Sequence, residues 1–275
     1  MVRRLCLGAL VLATGVALTL PSSYGWGSSA ERLITNKAVE TLPDQMLPFF
    51  ESNRQFLVQH VTEPEGALPD DHTGFIQLDH YGQFPFTALP HSYNAASLKY
   101  TKRVLVTYGV LPWQIGIYSQ KLTDAMRAHE WGEAKLSAAT LAHFVAAAED
   151  PFDTTTNFDG RLSDQPGINE RYDAGLVDRY QLFFYVKPNQ AAYIPEPTER
   201  AFDMCLTAHS WLENILLSDR RAHEGLASYA DDYYDRFYAQ AGAVLIRQLS
   251  DASTDVGSYW MTAWINAGRP QLPAQ

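Results

Sequence analysis

Apolar side chains recur at helical spacing along most of this chain, and that pattern limits the fold more than any other feature. In residues 31–43 they fall on one helical face, and Pro43 ends the segment. No alternating pattern of the kind that marks a β-strand recurs. The sequence therefore predicts an all-α fold, a single mostly helical domain. Further helices are predicted over residues 44–64, 92–110, 111–129, 131–148, 168–184, 197–222, 231–253 and 254–267.

The first 25 residues have the pattern of an export signal. Two arginines precede an apolar run over residues 5–20, and a Pro-Ser-Ser-Tyr-Gly segment with small residues follows. The apolar run is short for a membrane span, which favours a cleaved signal peptide over a membrane anchor. We expect residues 1–25 to be removed by a cut before Trp26, so that residues 26–275 form the mature domain. The protein is then exported, either periplasmic or secreted.

The mature chain is expected to be acidic. Removing the two arginines of the signal leaves 19 basic against 31 acidic side chains. An acidic protein gains nothing from counterion release on phosphate backbones, and anionic lipid repels it. We therefore expect no nucleic acid held by charge and no stable membrane anchor. Cys205 is the only cysteine after the signal, so no internal disulfide is expected.

Several segments occur in an order and spacing found in one superfamily. They are WGSSAERLITNKAVETLP directly after the signal, GFIQLDHYG, YGVLPWQI, LSAATLAHFVAAAEDPFDTTTNFDG, QPGINERYD and MTAWINAGRP. Through them the chain resembles the superfamily of zinc-dependent bacterial phospholipase C and single-strand-specific fungal nucleases. The resemblance implies an all-helical fold with three zinc ions in a cleft, where phosphodiester bonds are hydrolysed. It also implies that Trp26, once N-terminal, binds zinc through its α-amine and its carbonyl oxygen.

Only some of the metal-ligand positions that the resemblance implies hold a residue that can bind a metal. Glu31, Asp153 and Asn169 stand where the family pattern has histidines. Gly74 replaces another histidine, and Ala147 replaces the aspartate that bridges two metals. The matched metal positions that keep a possible ligand are Trp26, Glu31, Glu63, His143, Asp153, Asn169 and Asp173.

Two functions are compatible with this set of side chains. In the first, the three-zinc site is largely lost, no cofactor is expected, and a non-catalytic protein binds an unknown ligand or protein partner in the old cleft. In the second, a phosphodiester hydrolase of phospholipase C or nuclease type uses a reduced, oxygen-rich site, which suits Ca²⁺, Mg²⁺ or Mn²⁺ better than zinc. The ligands of that site would be His143, Glu63, Asp153 and Asp173. Two kinds of group are candidates to neutralise the crowded acids: a metal ion, or Arg32 and Arg171, which are close to them in sequence.

Other sequence features are weaker guides to function. No Gly-x-Ser-x-Gly elbow and no phosphate-binding glycine loop occurs, so nothing favours a serine hydrolase or a nucleotide-binding protein.

An aromatic group is expected to pack in the core, with a stacking wall for a ligand as the alternative. Its members are Tyr229, Tyr233, Tyr234, Phe237 and Tyr238.

Overall fold

The computed structural model describes residues 26–63 and 72–273, and the predicted signal peptide lies outside the described residues. Within these two ranges every regular element is helical, and no strand occurs. The α-helices are α1 (Ser28–Val39), α2 (Leu47–Ser52), α3 (Arg54–His60), α4 (Tyr93–Tyr100), α5 (Lys102–Thr107), α6 (Leu111–Arg127), α7 (Trp131–Ala148), α8 (Ile168–Glu170), α9 (Leu176–Tyr180), α10 (Pro197–His209), α11 (Leu212–His223) and α12 (Asp231–Asn266). The 3-10 turns are Leu78–Tyr81, Pro151–Thr154, Arg161–Ser163 and Gln181–Phe183, and a π-helical turn, Arg171–Gly175, joins α8 to α9.

Some predicted helices are divided in the structure. The helix predicted over residues 92–110 divides at Thr101, whose φ of 68° lies in the left-handed region. The helices predicted over residues 44–64 and 197–222 also divide, each at one or two residues. Apolar periodicity continues across so short an interruption, and the sequence pattern therefore does not locate it.

The helix α12 shows the opposite difference. The sequence predicted separate helices over residues 231–253 and 254–267, but the structure has one helix of 36 residues. The hydroxyl groups of Ser253 and Thr254 donate hydrogen bonds to the carbonyl groups four residues earlier. Because these bonds satisfy the hydroxyls inside the helix, the polar stretch stays helical instead of ending it.

The core is built around α6, α7 and α12. The helices α6 and α7 pack along each other, α12 packs across both, and α1 packs on α12. The indole N–H of Trp260 on α12 donates to the carbonyl oxygen of Ala138 on α7 at 2.9 Å. Where α12 crosses the end of α1, a Cβ atom on Gly257 would collide with the hydroxyl group of Thr41. This crossing therefore requires glycine.

The second half of α7 is enclosed by the rest of the protein. Every residue from 141 to 148 is buried. A helix that is apolar on all sides belongs in the interior of a domain. No helix of the described ranges has the length and apolarity needed to cross a membrane. The position of His143 on this segment places its imidazole ring in the interior.

Candidate functional site

Two of the predicted ligand positions contact each other directly. Glu31 lies in the first turn of α1, and His143 lies in the enclosed half of α7. The Oε1 atom of Glu31 is 2.7 Å from Nδ1 of His143. The two residues are only 1% and 3% exposed. The carboxylate and the imidazole therefore satisfy each other in a buried hydrogen bond.

The other ring nitrogen of His143 faces the loop around Gly74. A Cβ atom on Gly74 would lie 4.0 Å from Nε2 of His143, at an ordinary van der Waals distance. The same loop is tied to the turn Pro151–Thr154, because the main-chain N–H of Ile76 donates to the carbonyl oxygen of Asp153 at 2.8 Å. Asp153 is 1% exposed. The structure thus brings the matched positions of this loop, α7 and the turn into one neighbourhood.

Trp26 begins the described chain as a core residue. It is 1% exposed, and its indole N–H donates to the carbonyl oxygen of Ala146 on α7 at 2.9 Å. The centroids of its ring and the Tyr172 ring are 6.2 Å apart. Gly27 packs so closely on the π-helical turn that a Cβ atom there would lie 3.0 Å from Cβ of Ala174. Trp26 is therefore held between α7 and the π-helical turn.

Asn169 and Asp173 occupy the segment formed by α8 and the π-helical turn. Their exposed fractions are 3% and 4%. The Oδ1 atom of Asn169 is buried and has no hydrogen-bond partner among the described residues. The carboxylate of Asp173 accepts a hydrogen bond from the main-chain N–H of Ala174. Burial, and then the nearby carboxylate of Asp150, raises the pKa of Asp173 well above its usual range.

Sequence reasoning missed Asp150, which lies two residues after the end of α7 at Ala148. Its Oδ1 atom accepts the main-chain N–H of Phe152 at 2.8 Å, whereas Oδ2 is buried without a hydrogen-bond partner in the described ranges. Burial raises the pKa of Asp150 to about 7. The Asp-Pro pair after an alanine-rich helix is a turn signal, so it indicates a capping aspartate. It does not indicate that the carboxylate is enclosed.

Three further residues were predicted to act as ligands or counter-charges at this site. The side chain of Glu63 is exposed, and its Oε2 atom is 3.7 Å from Nε2 of His60. The guanidinium of Arg171 binds Asp219, with Nε at 3.1 Å and a terminal nitrogen at 3.0 Å from Oδ1. Arg32 is exposed on α1. The prediction that Arg171 neutralises the matched acids is therefore wrong, because its charge is paired with Asp219.

The aromatic group near the start of α12 divides between core and surface. Tyr233 and Phe237 are fully buried, as the core interpretation predicted. Tyr229 is 40% exposed, and its ring centroid lies 3.9 Å from the guanidinium carbon of Arg171. This ring therefore covers the Arg171–Asp219 pair on its solvent side.

The matched positions do not form a metal-binding arrangement in the described part of the chain. Among residues 26–63 and 72–273, no three His, Cys, Asp or Glu side chains are placed so that they could hold a metal ion. The structure therefore supplies an interior carboxylate–imidazole pair and buried acids, set close together along α1, α7 and the π-helical turn.

A cavity of about 550 Å³ opens beside this neighbourhood. His72 and Thr73, which directly precede Gly74, line one side of it. The opposite side is formed by residues of α4, α5 and α6, including Tyr93, Val106 and Trp113. The loop that faces His143 therefore also borders a space large enough for a small molecule.

Comparison with known proteins relates the fold to two bacterial toxins. No family model matches the sequence, and no curated protein sequence matches it either. The alpha-toxin from Clostridium absonum has a similar structure, with a TM-score of 0.52 and 12% sequence identity over 91% of this chain and 66% of the toxin. The alpha-toxin of an avian strain of Clostridium perfringens gives a TM-score of 0.51 and 14% identity over 90% of this chain and 66% of the toxin.

These similarities bear on the fold alone. This chain spans just under two thirds of the length of either toxin chain. At such low sequence identity, structural similarity shows a shared arrangement of helices. It does not show that the chemistry of a site is shared. The predicted all-α fold is confirmed, and its arrangement of helices is similar to that of the two toxins.

Proposed function

We propose that this protein is an exported, non-hydrolytic binding protein of phospholipase C-like fold, without a three-zinc cluster. It binds a ligand or a protein partner in the cleft beside His143. The observation that best supports this proposal is the contact of 2.7 Å between Glu31 and His143 in the interior. Two side chains at matched zinc positions hydrogen-bond to each other instead of pointing their donor atoms at a common empty space.

The chemistry of the remaining positions supports the same proposal. A zinc ion on the Nδ1 side of His143 would have to displace the Glu31 carboxylate from its hydrogen bond. Ala147, buried one helical turn after His143, has no donor atom with which to bridge two metals. Closely spaced dications repel one another strongly in a buried site unless a bridging carboxylate offsets their charge.

A reduced metal site is the second candidate function, and one feature favours it. Nδ1 of His143 contacts the carboxylate of Glu31, and the other ring nitrogen, Nε2, lies on the side of Gly74. Carboxylate–histidine pairs of this kind orient metal-ligating imidazoles in many metalloproteins. In this alternative, a metal-dependent phosphodiester hydrolase would hold one hard cation, Ca²⁺, Mg²⁺ or Mn²⁺, with Asp153 and Asp173 as further ligands.

Metal analysis of the mature protein tests the proposal. The protein would be secreted by its own signal, purified without chelator and equilibrated in turn with zinc, calcium and manganese. We expect no stoichiometric metal and no hydrolysis of bis(p-nitrophenyl) phosphate. About three equivalents of zinc, or zinc-dependent hydrolysis, would overturn the proposal. About one equivalent of calcium or manganese would favour the reduced metal site.

A variant with restored ligands provides the positive control. Glu31→His, Gly74→His and Ala147→Asp would be combined in one chain, because Gly74 has room for a Cβ atom next to the His143 ring. This variant is expected to retain zinc that the parent protein does not retain, since it regains imidazoles and a bridging carboxylate. Its zinc content shows that the assay detects a site in this fold.

Asp173→Ala separates the two candidate functions by stability. In a binding protein without metal, the Tm stays unchanged or rises, because the variant removes a buried carboxylate that lies near Asp150. In a metal-dependent hydrolase, the variant loses the rise in Tm that calcium or manganese gives to the parent. Asp203→Ala, which changes an exposed aspartate on α10, is the matched control and should behave like the parent in both cases.

A further inference from the structure

Three large apolar side chains project from the connection between α9 and α10. Leu182 is 92% exposed, Phe183 75% and Tyr185 76%. A side chain that leaves so much of its surface in water touches little of its own protein, so Leu182, Phe183 and Tyr185 together form an apolar tip. Single exposed apolar residues are ordinary on a protein surface, whereas a contiguous group of them marks a site of interaction.

Aromatic stacking fixes the start of this segment on α12. The ring centroid of Tyr180 lies 4.4 Å from that of Tyr238, and the centroid of Phe184 lies 5.9 Å from it. The hydroxyl group of Tyr180 also donates to Oδ1 of Asp235 at 2.6 Å. Tyr180 and Phe184 therefore face α12, whereas the residues of the tip, which lie between and beside them, face solvent.

A row of hydroxyl groups on α12 fixes the other end of the segment. Main-chain N–H groups of residues 187–194 donate to side-chain hydroxyls that recur every four residues along one face of the helix. The four bonds, of 2.9–3.1 Å, run from Lys187 to Ser250, from Asn189 to Thr254, from Ala192 to Ser258 and from Ile194 to Thr262. Because the segment is held at both ends, the tip meets a partner without first having to be ordered.

The size and shape of the tip favour a lipid surface over a protein partner. An aromatic side chain offers about 150–250 Å² for burial, so one leucine and two aromatic residues fall short of the roughly 800 Å² that each partner buries in a stable protein complex. A second copy of the chain would bring another projecting tip to a two-fold interface, where a projection finds no recess to fill. A bilayer needs no recess, because apolar side chains enter the boundary between head groups and acyl chains.

The charges near the tip indicate which kind of lipid it meets. Lys187 is the only charged residue from 181 to 195, in a chain with 31 acidic and 21 basic side chains. The first turns of α12 carry Asp231, Asp232 and Asp235, and side-chain contacts join them to the end of α9, directly before the tip. An anionic bilayer repels carboxylates at that position, and a bilayer without net charge does not.

We propose that the apolar tip inserts into the surface of a zwitterionic lipid bilayer and holds the protein there reversibly. Leu182 and Phe183 enter the acyl boundary, and Tyr185 keeps its hydroxyl group among the polar head groups. Three side chains bury too little apolar surface for a permanent anchor, so the contact is reversible. This inference goes beyond the proposed function, because it uses none of the residues at the matched metal positions.

Vesicle sedimentation with the intact mature protein tests the proposal. The parent is expected to sediment with phosphatidylcholine vesicles, and to bind more weakly when about one third of the lipid is phosphatidylglycerol. Binding to phosphatidylcholine should persist at high salt, because it rests on apolar contact and not on charge. No binding of the parent, or tighter binding to the anionic vesicles, overturns the proposal.

A double variant places the contact at the tip. Leu182→Ser combined with Phe183→Ser should weaken vesicle binding about ten-fold or more, because it removes two of the three apolar side chains. Both side chains are exposed, so the Tm should stay that of the parent. Leu98→Ser changes a side chain on α4 that is 87% exposed and outside the tip, and this control should bind like the parent. Equal binding by the double variant and the parent overturns the proposal.

Two further measurements separate a bilayer from a second copy of the chain. In Phe183→Trp, lipids brominated on their acyl chains should quench the fluorescence that the variant adds, and in Leu98→Trp they should not. Equal quenching in both variants overturns insertion of the tip. Sedimentation velocity should show a monomer for the parent and for the double variant. A parent that forms dimers which the double variant does not form would assign the tip to a second copy and overturn the bilayer assignment.

Discussion

At the scale of single residues, the carboxylates of Asp150 and Asp173 are the clearest source of a pH response. Both are buried, and Arg171, which is two residues from Asp173 in sequence, is paired with Asp219 instead. Burial raises the pKa of Asp150 to about 7 and that of Asp173 well above its usual range. Between about pH 4 and pH 7, Asp150 is therefore protonated to a greater extent in the folded protein than in the unfolded chain.

The sign of the effect on stability follows from the raised pKa. A carboxyl group with a pKa near 3.8 when unfolded and about 7 when folded favours the folded state at low pH, and this advantage is lost as pH rises from about 4 through 7. The shift corresponds to about 4 kcal/mol at pH 8. We expect Asp150→Asn to raise the free energy of unfolding at pH 8 by up to that amount and to change it little at pH 4.

Urea unfolding at the two pH values checks this prediction. The amide of Asn keeps an Oδ1 acceptor for the main-chain N–H of Phe152, so the turn is preserved. Asp203→Asn on the exposed side of α10 is the control and should shift stability equally at both pH values. An Asp150→Asn protein that is no more stable than the parent at pH 8 would contradict a raised pKa of Asp150 in the folded protein.

At the scale of elements, the crossing of α1 and α12 depends on one glycine. Gly257 lets α12 approach the end of α1, where the hydroxyl of Thr41 donates to the carbonyl oxygen of Ala38 at 2.7 Å. Helical propensity alone would favour alanine at this position, since glycine weakens the interior of a helix. Packing therefore outweighs propensity at this crossing.

Gly257→Ala is expected to destabilise the protein by about 2 kcal/mol, the usual range for an added methyl group in a packed interior. The added Cβ atom would press on the Thr41 side chain and disturb its hydrogen bond to Ala38. Thermal unfolding should show a lower Tm for this variant. Gly132→Ala, which meets no atom within 4 Å, should leave the Tm unchanged or slightly raised.

A double variant identifies the cause of that loss. In Gly257→Ala combined with Thr41→Ala, the hydroxyl that meets the new methyl group is gone, and the added destabilisation from position 257 should be smaller than in the single variant. If the two losses simply add, the collision with Thr41 is not the cause.

The same elements show what the sequence could and could not reveal. The helix α7 was predicted with the bounds that it has, because its apolar residues and flanking polar residues leave no ambiguity. The continuity of α12 was missed, because hydroxyl groups that bond to their own helix look like a break in a sequence pattern. The break at Thr101 was missed because it is a matter of backbone conformation and not of apolar content.

At the scale of the whole molecule, the all-α fold was predicted correctly from the sequence. Which side chains pair with one another was not predicted. The Glu31–His143 contact joins residues 112 positions apart, and no local pattern encodes it. The burial of Asp150, the pairing of Arg171 with Asp219 and the cavity at His72 likewise depend on how distant helices pack.

Removing the second half of α12 tests how far the domain depends on its full length. A chain that ends at Ser253 loses Val256, Tyr259 and Trp260, all of which are fully buried. Burial of each such side chain contributes about 2 kcal/mol, so the loss is comparable with the net stability of a typical domain. We expect no cooperative thermal transition and no near-ultraviolet circular dichroism.

The matched control for this truncation is a chain that ends at Leu272. It keeps α12 complete, together with the hydrogen bond of 2.9 Å from the indole N–H of Trp264 to the carbonyl oxygen of Pro270. Its Tm should equal that of the parent. If the chain ending at Ser253 folds, the core does not require the second half of α12 for its stability.

The packing of α12 against α1 and α7 also sets the order of events during synthesis. Trp260 bonds to Ala138, 122 positions earlier, and α1 rests on the same terminal helix. Contacts of such high sequence separation form only after α12 has left the ribosome, and they slow folding. The core of this domain therefore stays unfinished until α12 emerges. If the protein is exported as we propose, this delay leaves the chain extended enough for transport across the membrane.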